Sequence, residues 1–168
     1  MLYRKASGKE AKLCFGGHIL MENRNGLCAD FTIHDPIAEP EPVVALQQVR
    51  AHQELHAGTD VKTLGADKGY HRKRFVAACR EQGIAPHVAC KAGITVPGLD
   101  GRTTSKAGYQ TSQRLRKRVE EIFGWIKTVG GLRRSRYRGR ERTQAWGYFV
   151  AGTYHLLRMA RLALASAN

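Results

Sequence analysis

Two alternating segments on either side of Asn25-Gly26 restrict the folds open to this chain more than any other feature of the sequence. Residues 12–21 and 27–34 switch between apolar and polar side chains with the two-residue period of a half-covered strand. An Asn-Gly pair between such runs favours the positive φ angles of a tight hairpin turn, so an antiparallel hairpin is predicted. In its second arm Leu27, Ala29, Phe31 and Ile33 fall on one face, with Cys28, Asp30, Thr32 and His34 on the other. The apolar face is expected to meet helices.

Pro36, Pro40 and Pro42 break the chain after the hairpin. Val43, Leu46 and Val49 then recur at near-helical spacing, predicting a first helix that runs to about His56 and is stopped by Gly58. Residues 61–66 read as a short buried strand ending at Asp67-Lys68-Gly69-Tyr70. A second helix follows, with Phe75, Val76 and Cys79 inward and Gly83 past its end, and residues 84–89 form another strand. Residues 91–108, which hold four glycines and Pro97, read as a loop. A long helix is expected over about residues 112–129, then an arginine-rich connection to Arg142 and a final apolar helix over about residues 143–165. This alternation predicts an α/β sandwich built on a mixed sheet, in one domain.

A chain of 168 residues needs no disulfides to bury a core, because domains of this size bury roughly two-thirds of their unfolded surface. The four cysteines form no CxxC pair, so neither a zinc ribbon nor a redox dithiol is signalled and a reduced, intracellular setting is expected. No apolar run approaches the ~18 residues of a membrane span, and no signal peptide is evident. The net charge of +14 is unevenly spread: residues 101–142 carry thirteen basic and three acidic side chains, whereas residues 30–60 carry six acids and one arginine. A polyanion is therefore expected to meet the C-terminal half, and nucleic acid is the common one, since each phosphate contact releases counterions. A solvated basic surface is the alternative.

Asp67 stands where a buried strand ends and a turn leads into a helix, the place where open α/β sheets carry ligand-binding groups. An aspartate there also serves as a helix N-cap, and both roles stay open. Arg116, Glu120 and Lys127 follow at i, i+4 and i+11. On an uninterrupted helix they fall within about 40° of one another, beside an apolar stripe of Val119, Ile122, Phe123 and Ile126. Glu120 is then expected at the edge of the core and Glu121 in solvent; an ordinary Arg116–Glu120 ion pair is the plainer reading. His52 and His56 lack a completing ligand for zinc and read as exposed helix residues. Trp125, Trp146, Tyr148 and Phe149 are expected to fill the interface between the last two helices.

Five stretches together make the chain resemble a known family: Leu2-Tyr3-Arg4-Lys5; Met21-Glu22-Asn23-Arg24-Asn25-Gly26-Leu27; Gly65-Ala66-Asp67-Lys68-Gly69-Tyr70; Asp100-Gly101-Arg102-Thr103-Thr104; and the run Arg118-Val119-Glu120-Glu121-Ile122-Phe123-Gly124-Trp125-Ile126-Lys127. These resemble the bacterial insertion-sequence transposases of the DDE type, in particular the insertion sequence five group. That family carries a signature Tyr-x2-Arg-x3-Glu-x6-Lys, matched here by Arg116, Glu120 and Lys127 at the same spacings, with Gln113 in place of the tyrosine.

The resemblance implies an RNase H-like fold: a mixed sheet with flanking helices, in which three acids hold two divalent ions, usually magnesium and alternatively manganese. Asp67 would be the second acid and Glu120 the third, both metal-binding and catalytic in DNA cleavage and strand transfer. Arg116 and Lys127 would hold DNA phosphates beside them. The family's first acid lies on the first, central strand, ahead of the segment that resembles Leu2 to Lys5, so residues 1–168 are expected to be the C-terminal part of the catalytic domain and to lack that strand. Asp30 does not match the first acid's position. Activity is then expected to be weak or absent, and two open sheet edges are expected to make the product unstable or aggregation-prone. Arg133, Arg134, Arg136 and Arg138, with Arg140, Arg142 and Tyr137, form the main candidate patch for DNA phosphates, extended by Arg102, Lys106 and residues 114–118. The expected partners are DNA, as transposon ends and target, and other transposase copies, in the bacterial cytoplasm and with no membrane. A non-catalytic basic nucleic-acid-binding module, or an inhibitor of a full-length transposase, is the competing expectation.

Overall fold

The structure, a computed structural model, describes residues 2–3, 8, 10–35 and 41–167. Their contacts divide into two compact units, residues 1–45 with 119–168 and residues 46–118. The strands form three separate two-stranded ladders rather than one mixed sheet. The break expected at Pro36 and Pro40 lies outside the described residues, as do Arg4 and Lys5.

In the first unit, β1 (Leu2–Tyr3) pairs antiparallel with β2 (Lys12–Leu13), and β3 (Gly16–Glu22) with β4 (Leu27–His34). The predicted hairpin is therefore present, but its turn is built differently. Residues 23–26 all belong to the turn, and Gly26 alone among them has a positive φ, of +70°. The Glu22 carboxylate holds the loop by accepting from the Arg24 and Asn25 amides at 2.7 and 2.8 Å, while the Gly26 amide donates to the Glu22 carbonyl at 3.0 Å.

The β3–β4 ladder slips by one residue. Leu20 faces Asp30 and Met21 faces Cys28, which leaves Ala29 unpaired. Such a bulge shifts the inward set by one position along the strand. The buried apolar residues of β4 are accordingly Cys28, Phe31 and Ile33, while Leu27 and Ala29 are only half-buried. His34, expected on the polar face, is also buried, its ring centroid 4.3 Å from that of His18.

Two helices close this core. Ile122 and Ile126 of α5 (Val119–Thr128) and Val150 and Ala151 of α6 (Arg140–Ser166) pack on Cys28, Phe31 and Ile33. The i, i+3, i+4, i+7 spacing of Val119, Ile122, Phe123 and Ile126 is what gives α5 its apolar side. Burying a side chain such as Ile122 contributes about 1.5–3 kcal/mol. Gly147 lets α6 approach β4, because a Cβ there would overlap the Phe31 ring. Trp125 and Trp146 pack against this core as expected, but Tyr148 and Phe149 are 55% and 74% exposed. Each lies about 160° round α6 from one of its buried residues, Tyr148 from Val150 and Phe149 from Ala151.

Side chains of α6 also serve β4 directly. Gln144 donates from Nε2 to the Phe31 carbonyl at 2.9 Å and accepts at Oε1 from the Ile33 amide, so one amide group stands in for the two backbone groups of a neighbouring strand. Further along, His155 Nδ1 lies 2.9 Å from the Cys28 carbonyl and Arg158 donates from Nε to the Asn25 carbonyl at 2.6 Å. Backbone groups on a strand edge need partners, and for Cys28, Phe31 and Ile33 a helix supplies them.

Helix α1 (Glu41–Leu55) spans the boundary between the units, with Pro42 in its first turn, where the missing N–H costs nothing. The second unit is built on β5 (Thr63–Ala66) and β6 (Ala85–Val88), which run parallel, joined through α2 (Lys73–Glu81). Phe75, Val76 and Cys79 of α2 are buried, as their spacing predicted. The glycine-rich segment is more ordered than expected. Asp100 caps a short helix α3 (Gly101–Thr104), and α4 (Ala107–Leu115) begins five residues before the predicted start. Arg80 organises the approach to α3, donating to the Gly98 carbonyl and to Thr103 Oγ1.

Candidate functional site

Parallel strands bring their carboxyl ends to the same side, and in the second unit Gly65 pairs with His87 and Ala66 with Val88. Asp67 is the first residue beyond β5 and is exposed. Its backbone is extended (φ −81°, ψ −177°), and Oδ1 accepts from the Gly69 amide at 2.6 Å, capping the 3-10 turn Lys68–Tyr70. The capping role left open by the sequence is thus present. It uses one oxygen only; among the described residues Oδ2 accepts no hydrogen bond. A Cβ at Gly69 would lie 2.9 Å from Oδ1, so a larger residue there would push the carboxylate out of its capping position. The turn is tied to the segment after β6 through buried His71, whose Nδ1 accepts from the Lys91 amide at 3.3 Å.

The long helix expected over residues 112–129 is divided. Helix α4 ends at Leu115, a 3-10 turn spans Arg116–Arg118, and α5 starts at Val119. A 3-10 step turns about 120° rather than about 100°, so spacing alone no longer puts Arg116 on the stripe of Glu120 and Lys127. Arg116 instead donates from Nε to Gln113 Oε1 at 2.8 Å, and Gln113 donates from Nε2 to the His87 carbonyl on β6. The sequence marks Gln113 only as the occupant of the signature's tyrosine position.

Glu120 and Lys127 lie seven residues apart within α5, hence on one face. Both are exposed, so Glu120 does not sit at a core edge but resembles Glu121. Both acids stand in the first turn of α5, where they also favour the helix dipole. Lys127 rests over the Phe123 ring, its Nζ 5.2 Å from the centroid.

Between α5 and α6 the connection carries Arg133, Arg134, Arg136 and Arg138, followed by Arg140 and Arg142 at the start of α6, and all six are exposed. Among the described residues none of these pairs with a carboxylate. The backbone beneath them is ordered: Ser135 Oγ donates to the Tyr137 carbonyl at 2.6 Å and lies 2.9 Å from Thr143 Oγ1. Arg136 lies over the Trp146 ring, 5.6 Å from its centroid, and Tyr137 meets the same ring edge-on. Arg102, expected to extend the patch, is instead bound to Asp100 at 2.7 Å. The guanidinium holds the Asp100 carboxyl below its ordinary range.

Asp67 belongs to one unit and Glu120 to the other. Asp30 is half-buried on β4 and accepts from Thr32 Oγ1 at 2.9 Å. Among the described residues no three His, Cys, Asp or Glu side chains gather as a metal site, although the His52 and His56 rings lie 4.7 Å apart. All four cysteines are free. No helix of the described residues is long and apolar enough to cross a membrane.

The family model described as the transposase DDE domain matches residues 2–156. No curated protein and no solved structure matches the chain.

Proposed function

Because the chain belongs to the transposases that carry a DDE domain, we propose that it derives from an enzyme that cuts and joins DNA with divalent cations held by Asp67 and Glu120. The match over residues 2–156 carries this reading. Its motifs favour the insertion sequence five group, and its strand arrangement is in keeping with an RNase H-like sheet. Such a sheet inserts one strand, bearing the first acid, between the hairpin and the parallel pair. Among the described residues no strand occupies the second edge of β3 or of β5. We therefore read residues 1–168 as the C-terminal part of one catalytic domain.

The donor set fits magnesium or manganese. Both are hard cations that take carboxylate oxygens and keep several waters, and Asp67 and Glu120 are exposed carboxylates. Among the described residues Asp67 keeps Oδ2 unbonded while Oδ1 fixes its orientation. Held by Asp67 and Glu120, two such cations would supply the Lewis acidity that an in-line phosphoryl displacement needs at its attacking and leaving oxygens. The protein's own cations do the rest. Arg116 and Lys127 offset phosphate charge, and Arg133, Arg134, Arg136 and Arg138 hold the backbone without reading sequence.

Supercoiled plasmid incubated with the chain and Mg²⁺ or Mn²⁺ tests this. Any metal-dependent nicking is expected to be weak without the first acid, and to be lost in both Asp67→Ala and Glu120→Ala. Salt-sensitive binding with the plasmid left intact, by wild type and variants alike, favours the second reading, a basic module that binds DNA or restrains a full-length transposase; what speaks for it is that Arg133, Arg134, Arg136 and Arg138 are exposed and pair with no carboxylate among the described residues.

A further inference from the structure

We propose that Gln113 is a positioning residue that holds the Arg116 guanidinium ready for a DNA phosphate; this rests on the reading of Arg116 as a phosphate contact. An arginine side chain surrenders rotamer entropy when fixed, so an arginine already held in place loses less on binding. Arg116 is held through Nε, which donates to Gln113 Oε1 at 2.8 Å. Neither Nη makes a hydrogen bond among the described residues, which leaves the pair that grips a phosphate in bidentate fashion.

Gln113 is itself fixed from the other end. Its Nε2 donates to the His87 carbonyl, so a backbone acceptor and a guanidinium donor together determine which way the amide points. His87 is buried and immobilised in turn. Its Nδ1 lies 2.7 Å from Ser112 Oγ, and its ring meets Tyr109 edge-on at 5.6 Å, while the Tyr109 hydroxyl donates to the Val88 carbonyl at 2.8 Å. Burial, with Arg80 and Lys106 nearby, lowers the His87 pKa and favours a neutral ring. His87 pairs with Gly65, two residues before Asp67. The chain of contacts thus runs from the strand pair that ends in Asp67 to the guanidinium of Arg116, all within one unit.

The test is binding of a labelled DNA duplex by the full chain across a range of salt concentrations, with thermal melting of each variant alongside. Arg116→Ala is expected to lower the salt slope by about 0.9, one phosphate contact. Gln113→Leu is expected to weaken binding by roughly tenfold, and the double variant to bind no worse than Arg116→Ala. Arg116→Lys leaves Gln113 and the core intact, so it serves even if Gln113→Leu does not fold. It keeps the charge but cannot donate from Nε while gripping a phosphate with two further nitrogens, so it is expected to bind nearly as weakly as Arg116→Ala. Wild-type affinity for Arg116→Lys, or additive losses in the double variant, would overturn the positioning role while leaving Arg116 as a phosphate contact. An Arg116→Ala variant with unchanged salt slope would remove that contact and the positioning role together.

Discussion

Alanine at Arg133, Arg134, Arg136 and Arg138 together is expected to weaken binding of duplex DNA on the order of a hundredfold at moderate salt, and to lower the slope of log affinity against log salt by up to about 3.6. The expectation follows from exposure and from the lack of any carboxylate partner among the described residues: each guanidinium retains its full charge for a phosphate. Stability should change little, since exposed side chains away from a core contribute within about 0.5 kcal/mol. Arg136 differs from the other three because it covers the Trp146 ring. Arg136→Lys alone, which keeps the charge and loses the planar stacking, separates packing from phosphate binding. Anisotropy titrations at several salt concentrations measure both slope and affinity. A slope unchanged in the quadruple variant would mean that the connection is a solvated surface and that DNA is held elsewhere.

The second large effect concerns the fold. Gln144→Leu should destabilise the first unit by about 2–4 kcal/mol, because it strips partners from the Phe31 carbonyl and the Ile33 amide at once, and each unsatisfied buried group costs about 1–3 kcal/mol. Leucine matches the volume of glutamine closely enough that packing beside Phe31 is kept, so the loss isolates the hydrogen bonds. Denaturant unfolding gives the number. Hydrogen exchange at the Ile33 amide gives its location, since that proton should become the least protected on β4. A variant that unfolds like wild type, with the Ile33 amide still protected, would show that water or another group replaces Gln144. One edge of β4 is served by a helix rather than by a strand, so stability of the first unit depends on individual side chains of α6 more than a complete ladder would require.

The sequence made some of this structure readable and concealed the rest for identifiable reasons. Phe75, Val76 and Cys79 have helical spacing and no competing pattern, and they are buried as read. The hairpin was readable from alternation, but its inward set was not. The slip at Ala29 puts Cys28 in the core in place of Leu27 and Ala29, and nothing in the local sequence marks a one-residue bulge. The break between α4 and α5 was equally silent, because Leu115-Arg116-Lys117-Arg118-Val119 contains neither Gly nor Pro. Asp100 carries a local signal of its own: an aspartate before a helix start is a favoured N-cap, and its Oδ1 accepts from the Arg102 amide at 3.0 Å. At the candidate site, Asp67 was placed correctly at a strand end and proved to be a cap as well. The link from Gln113 to Arg116 and His87 joins residues 26 positions apart along the chain, which no periodicity reveals.

The most direct test is a Mn²⁺ titration of the full chain, followed by electron paramagnetic resonance, for the wild type, Asp67→Asn, Glu120→Gln and the double variant. Asparagine still caps the 3-10 turn through its side-chain oxygen, so the first substitution removes charge without removing the cap. If the two carboxylates share bound cations, each single substitution abolishes the same high-affinity Mn²⁺ signal and the double variant is no worse than either. Wild-type Mn²⁺ binding in both single variants, or losses that simply add, would contradict a metal centre shared by Asp67 and Glu120.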